Sequence, residues 1–233
     1  MLRHALSLSR AVASVPCPHP RPPLLRCCHC PVSPPSAAPE PPQDLAVPNA
    51  AWSDTMRRHY GHLEAIKGWT RLPSFRRAQH HFPGAAGTSG DTRLFPRAIE
   101  GPGDGFEYVM FLSVPSRRLR CLCQPGPFLE GHPGLTHGGA LATLIDSSLG
   151  TLALAVAGRV VTANLSIDYV LPVPLGTVVL VDAHLERQEG RKVFLECHLR
   201  SADGDTLHAR ATGLFIRLDP PKDEAREGGV GDQ

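Results

Sequence analysis

The sequence predicts an α+β domain in which one long central helix is wrapped by a single curved antiparallel sheet, with a small helical extension on its N-terminal side. Three observations lead there. Gly138–Ala157 is a run of 20 residues whose only ionisable group is Asp146. Segments of strand composition lie on both sides of it. The last three of these are separated only by Glu189-Gly190 and Asp203-Gly204, dipeptides suited to hairpin turns, so they form an antiparallel meander. A helix that is apolar on nearly every side has to be buried in protein, and one curved sheet around one helix meets that demand. A membrane span would fit the length. It fails on Asp146, whose place near mid-bilayer would cost ~2.5–3.5 kcal/mol, and on the polar Thr143, Ser147, Ser148 and Thr151. No transmembrane segment is therefore expected.

Composition bounds the rest. The 233 residues are 42% hydrophobic and 20% charged, ordinary globular usage, with a formal net charge of +2. So small a charge, without basic runs, excludes nucleic acid as a partner. Residues 1–43 stand apart. Twelve of the 24 prolines lie in residues 1–48, and no acidic residue precedes Glu40, whereas Arg3, Arg10, Arg21 and Arg26 do. Basic, serine-containing and acid-free is the composition of a mitochondrial transit peptide, so mitochondrial import, to the matrix, is expected. Cys27-Cys28-His29-Cys30 contains a Cys-x-x-Cys, but the next cysteine is Cys121, too far for a zinc site. No metal and no cofactor is implied.

Residues 44–105 read as a helical segment followed by a loop. Trp52, Tyr60, Leu63, Ile66 and Trp69 recur at helical steps, Ser53 is placed to cap, and the segment should pack on the main domain. That domain is expected over 106–219, followed by a disordered tail at 220–233. Phe106–Val114 and Leu119–Cys123 have strand composition, then a proline-containing loop runs to Thr136. Beyond the long helix, Val160–Leu171, Val178–Arg187, Lys192–Arg200 and Thr206–Leu218 read as strands. Val179, Val181, Ala183 and Leu185 share one face of theirs, as do Val193, Leu195, Cys197 and Leu199, which marks a half-buried sheet. Cys197, Cys121 and Cys123 are then core residues rather than reactive ones.

The residues that suggest chemistry lie on the helix. His137-Gly138-Gly139 sits where the loop enters it, and a helix start leaves backbone N–H groups free and partially positive. Such a site suits a carbonyl oxygen becoming an oxyanion; the glycines could equally serve only the turn. Asp146 is either a hydrogen-bonded structural carboxylate or a general base or nucleophile for attack on an acyl group. It lies eight residues beyond Gly138, ~12 Å along the axis, whereas a base must reach within ~3 Å of the reacting group or its water. One chain does not easily supply both. Two helices antiparallel across a two-fold axis do, which predicts a homodimer, or a higher homo-oligomer, with composite sites.

The stretch from Gly131 to Leu218 resembles the hotdog-fold acyl-CoA thioesterases, through His137-Gly138-Gly139 followed by Asp146. It is similar in particular to thioesterase superfamily members 4 and 5, mitochondrial long-chain enzymes. Val47-Pro48-Asn49, Trp69 with Arg71-Leu72-Pro73-Ser74-Phe75, Gly105–Phe111, Thr162-Ala163-Asn164-Leu165 and Glu189-Gly190-Arg191-Lys192 carry this closer likeness. The resemblance implies hydrolysis of medium- to long-chain fatty acyl-CoA to fatty acid and coenzyme A. It implies catalytic roles for Asp146, His137, Gly138, Gly139 and Thr162, and coenzyme A contacts near Asp168, Arg191 and Lys192. The Asp168–Leu171 stretch departs from a basic family pattern, so coenzyme A affinity should fall if its phosphates lie near this strand; His132 stands where a proline is usual, which alters the loop before the site. The resemblance also offers an alternative, a catalytically weak protein that binds a kinase (Akt), and a more distant one, a hydroxyacyl dehydratase.

Overall fold

The computed structural model describes residues 42–81 and 92–218. Residues 1–41 of the expected leader, the tail at 220–233, and 82–91 of the expected loop lie outside the described residues. The Ser53 side chain accepts the Met56 N–H at 3.2 Å and starts helix α1 (Asp54–Glu64). The helical stepping expected through Ile66 and Trp69 stops at Glu64. Gly68 takes φ +83°, a left-handed conformation that turns the chain, and strand β1 (Thr70–Leu72) follows.

Strands β2 (Phe106–Ser113) and β3 (Arg118–Pro125) precede helix α2 (Gly138–Ala157). Strands β4 (Val160–Tyr169), β5 (Val179–Glu189), β6 (Lys192–Ser201) and β7 (Leu207–Arg217) follow it. Together they form one antiparallel seven-stranded sheet in the order β1-β2-β3-β5-β6-β7-β4. The meander β5-β6-β7 is the one the hairpin dipeptides foretell. Alternation places the side chains as expected: Val179, Val181, Ala183, Val193, Leu195, Cys197 and Leu199 have no exposed surface.

The sheet is covered on both faces. Tyr108 and Met110 of β2 join the cluster around α2, with Leu141, Ile145, Leu149 and Leu152. Their neighbours Val109 and Phe111 point the other way and pack with Trp52, Met56, Tyr60 and Leu63 of the α1 segment. Each large side chain so buried contributes ~1.5–3 kcal/mol. Gly213 of β7 lets α2 come close: a Cβ there would lie 3.0 Å from a Leu149 methyl and 2.9 Å from the Phe215 ring. This long helix cradled in one curved sheet is the hotdog arrangement.

One expectation needs correcting. The helix is not enclosed on every side. Ala142, Thr143, Asp146, Ser147, Gly150, Thr151 and Leu154 are only partly buried, a stripe along α2 that a single chain leaves open. Asp146 is therefore not a fully buried acid. It stands on the open stripe.

Candidate active site

Helix α2 begins with a complete account of its early N–H groups. The His137 N–H donates to Leu129 O at 2.7 Å, and the Ala140 N–H to His137 O at 2.9 Å. The Gly139 N–H donates to Nδ1 of His137, the residue that caps the helix, at 2.9 Å. Of the N–H groups from His137 to Leu141, that of Gly138 alone has no hydrogen bond among the described residues. Gly138 and Gly139 were both expected to offer a free N–H at the helix start; the cap itself uses that of Gly139, which leaves that of Gly138. The cap also sets the tautomer of a neutral His137. With Nδ1 accepting, the ring proton is on Nε2, which becomes a second outward donor. The Tyr169 hydroxyl donates to Gly138 O at 2.8 Å, tying the end of β4 to the start of α2.

Two turns along, Asp146 Oδ1 accepts the Thr162 hydroxyl at 3.0 Å. A β-bulge makes it possible. The pairing of β4 with β7 runs Thr162↔Phe215, then Asn164↔Leu214, so Ala163 is the extra residue. One extra residue flips which side chains face inward. Below the bulge Leu165 and Ile167 pack on the core; above it Val160 does, and Thr162 turns in to meet Asp146. The acid's other oxygen forms no hydrogen bond among the described residues.

Asp146 and Thr162 open on a cavity of about 760 Å³, within the range of small-molecule sites. Its walls are mostly apolar: Met110, Gly150, Leu154, Val160 and Phe215 on the sheet and helix side. The opposite side was not foreseen. It comes from the N-terminal segment, with Leu72, Pro73, Ser74, Phe75, His80, His81, Leu94 and Pro96. The Leu72–Phe75 motif was visible in the sequence, but nothing there said that it would fold over α2. His81 holds this strap, its Nε2 3.0 Å from the Phe75 nitrogen and 3.4 Å from the Phe75 carbonyl oxygen; burial lowers its pKa, against the opposing effect of that carbonyl. His137, Gly138 and Gly139 do not line the cavity.

The remaining site residues divide between the two ends of the sheet. Arg191 and Lys192 form the exposed β5–β6 turn, where Lys192 is level with Ile216, which is in turn level with Val161. They lie two strands from Thr162, at the Asp146 end. Asp168 is exposed, opposite Arg210 and beside Tyr169, at the Gly138 end of β4. From Thr162 to Asp168 is six residues, ~20 Å of strand. A single chain thus brings Asp146, Thr162 and the basic turn to one end, and Gly138, His137 and Asp168 to the other. The cysteines are where the alternation put them. Burial pushes the thiols of Cys121 and Cys197 up to about 12 and that of Cys123 well above its ordinary value.

Comparison with known proteins gives the family. The description of the thioesterase superfamily matches residues 133–208. Acyl-coenzyme A thioesterase THEM4 of Xenopus laevis is 47% identical over 185 residues, 78% of this chain and 83% of that protein. Acyl-coenzyme A thioesterase THEM5 of Homo sapiens is 35% identical over 187 residues, 76% of each chain. Among solved structures, a thioesterase superfamily protein has 29% identity and a TM-score of 0.43, covering 47% of this chain and 53% of that one. On the identity and coverage of these relatives, the chain belongs to the thioesterase superfamily, within the group of acyl-coenzyme A thioesterases THEM4 and THEM5.

Proposed function

We propose that this protein hydrolyses medium- to long-chain fatty acyl-CoA to fatty acid and coenzyme A. The observation that carries the reading is Asp146, held by Thr162 at 3.0 Å and facing an apolar cavity of about 760 Å³. A carboxylate with one oxygen fixed by a hydroxyl and the other open is arranged to take a proton from water. That water adds to the thioester carbon, the carbonyl oxygen gains the charge, and the Gly138 N–H and the His137 Nε2–H stabilise it. The C–S bond then breaks, and the coenzyme A thiolate leaves and is protonated. Direct attack by Asp146 forms an acyl–aspartyl anhydride as the C–S bond breaks, and water then cleaves the anhydride to release the fatty acid.

The donors of one chain sit at the start of α2 and its acid two turns further along, ~12 Å away, so the working site pairs Gly138 of one subunit with Asp146 of the partner subunit. The open stripe of α2 and the exposed Val161, Tyr169, Val170 and Leu171 near it supply the surface for that homodimer. Phosphate groups of coenzyme A meet Arg191 and Lys192, while Asp168 opposes them. Residues 1–43 direct the chain to the mitochondrial matrix. A fusion of that segment to a fluorescent reporter checks this, and a cytosolic signal refutes it.

The test of the reaction is release of thiol from palmitoyl- or oleoyl-CoA by the purified chain. Turnover is expected, with loss of about 10²–10⁴-fold in Asp146→Asn at unchanged Tm. No turnover by the unmodified chain refutes hydrolysis and favours a regulatory, kinase-binding role.

A further inference from the structure

We infer that the cavity is built for an acyl chain that carries an oxygen function remote from the thioester, a hydroxyl, keto or carboxyl group; the inference rests on the acyl-CoA reading above. Two hydroxyl-bearing residues of the strap side, Ser74 and Tyr108, line the same cavity. Both residues are more than nine-tenths buried, at 5% and 7% exposed. Their oxygens are 3.1 Å apart. Ser74 Oγ also accepts Arg97 Nε–H at 2.9 Å.

The protons can be counted. Two hydroxyls carry two, and the contact between the oxygens uses one. The other has no acceptor among the described residues, whichever way the pair is oriented. A buried donor without a partner is costly, and both residues border the cavity.

The charge behind the pair points the same way. Arg97 is 5% exposed. Its Nη1 donates to the Phe106 carbonyl at 3.1 Å and its Nη2 to the Tyr108 carbonyl at 3.0 Å, and its guanidinium lies 3.7 Å over the Tyr108 ring. The described residues give it no carboxylate partner; the acids of this region are engaged elsewhere, Asp44 with Arg71 and Glu100 with Arg93. A buried cation behind a hydroxyl polarises it toward donating, so an electron-rich oxygen is the favoured guest. Ser74 is fixed for this. Its N–H donates to Asp44 Oδ1 at 2.9 Å and its carbonyl accepts the Leu45 N–H at 2.7 Å.

The experiment compares palmitoyl-CoA with hydroxypalmitoyl-CoA esters whose hydroxyl steps along the chain, and with the CoA monoester of the matching α,ω-dicarboxylic acid. At one hydroxyl position, or with the terminal carboxylate, kcat/KM should exceed that for palmitoyl-CoA roughly tenfold, the worth of one such hydrogen bond. The two arms distinguish a neutral oxygen from a carboxylate. In the double variant Ser74→Ala, Tyr108→Phe the ratio should collapse toward one. Each single variant still leaves one hydroxyl proton unaccepted and should keep part of the preference. Because the ratio is taken within each variant, losses of folding or of general activity cancel. Equal kcat/KM across the series, or a preference that survives the double variant, overturns the inference. If no thioester is cleaved, the hydrolytic reading fails separately. Calorimetric titration with free hydroxypalmitates against palmitate then reads the cavity alone: tighter binding of one hydroxy acid supports the inference, equal binding overturns it.

Discussion

Gly138→Pro isolates the backbone donor at the start of α2. Gly138 is the first residue of the helix, the one place where proline is well tolerated, since its missing N–H has no intrahelical partner. His137 already has φ −62° and ψ 135°, the extended region that a following proline requires. A Cβ at this position would meet the Tyr169 ring at 3.7 Å, an ordinary contact. The substitution thus removes one proton donor and little else. Since Gly139 and Ala140 spend their N–H groups on His137, no neighbouring amide substitutes for it. The expected loss is that of one oxyanion donor, about 10²–10³-fold in kcat, read as thiol release from palmitoyl-CoA, with Tm unchanged. The same variant tests the two-chain site. Refolded as an equal mixture with Asp146→Asn, half of the dimers pair one chain of each kind, and each such dimer has one site with both groups intact. About a quarter of the unmodified rate should return. A Gly138→Pro chain with full activity refutes the donor, and a mixture no more active than its components refutes the partnership.

Three other outcomes follow. Thr162→Val should lower kcat roughly tenfold by freeing the acid that the hydroxyl holds at 3.0 Å, and Thr162→Ser should restore most of it, in the same assay. Trp52→Phe should lower Tm by about 2–4 °C for each of the ~1–3 kcal/mol lost. It deprives the buried Glu107 carboxylate of the indole N–H at 2.8 Å, leaving it only Asn49 and Gly103 as donors. The His81 pKa lies below its ordinary value, chiefly through burial, so the folded state favours the neutral ring. That stability is present above about pH 6.5 and is lost as pH falls through the folded-state value. Tm measured from about pH 7.5 down to about pH 5 should fall more steeply than in His81→Gln; parallel profiles would show that the strap does not depend on this imidazole.

The central helix was legible to the residue, Gly138–Ala157, because a long apolar run between a His-Gly-Gly entrance and Gly158 has few other solutions. The meander was legible for a similar reason, since alternation and two hairpin dipeptides fix both register and face. What escaped the sequence was set by single residues acting at a distance. Gly68 ended the helical stepping, and the strand after it joined the sheet edge against Met110–Leu112. The Ala163 bulge, which aims Thr162 at Asp146, leaves no periodic mark in so short a strand. The use of Gly139 by its own neighbour is a matter of one imidazole rotamer. The Ser74–Tyr108–Arg97 cluster joins residues up to 34 positions apart in the sequence, through a strap whose course no local pattern encodes.

The covering of the sheet by α1 bears on how the protein can be cut. The superfamily description begins at residue 133, and a fragment trimmed to start there would lose both the outer layer and the first three strands. Starting at Phe106 instead would strip Trp52, Met56, Tyr60 and Leu63 from Val109, Phe111, Leu122 and Val178, laying bare a greasy sheet surface. Such a fragment should clump on expression, and its inactivity would say nothing about the chemistry; the shortest piece worth making starts ahead of Asp44, whose carboxylate anchors Arg71 and Ser74.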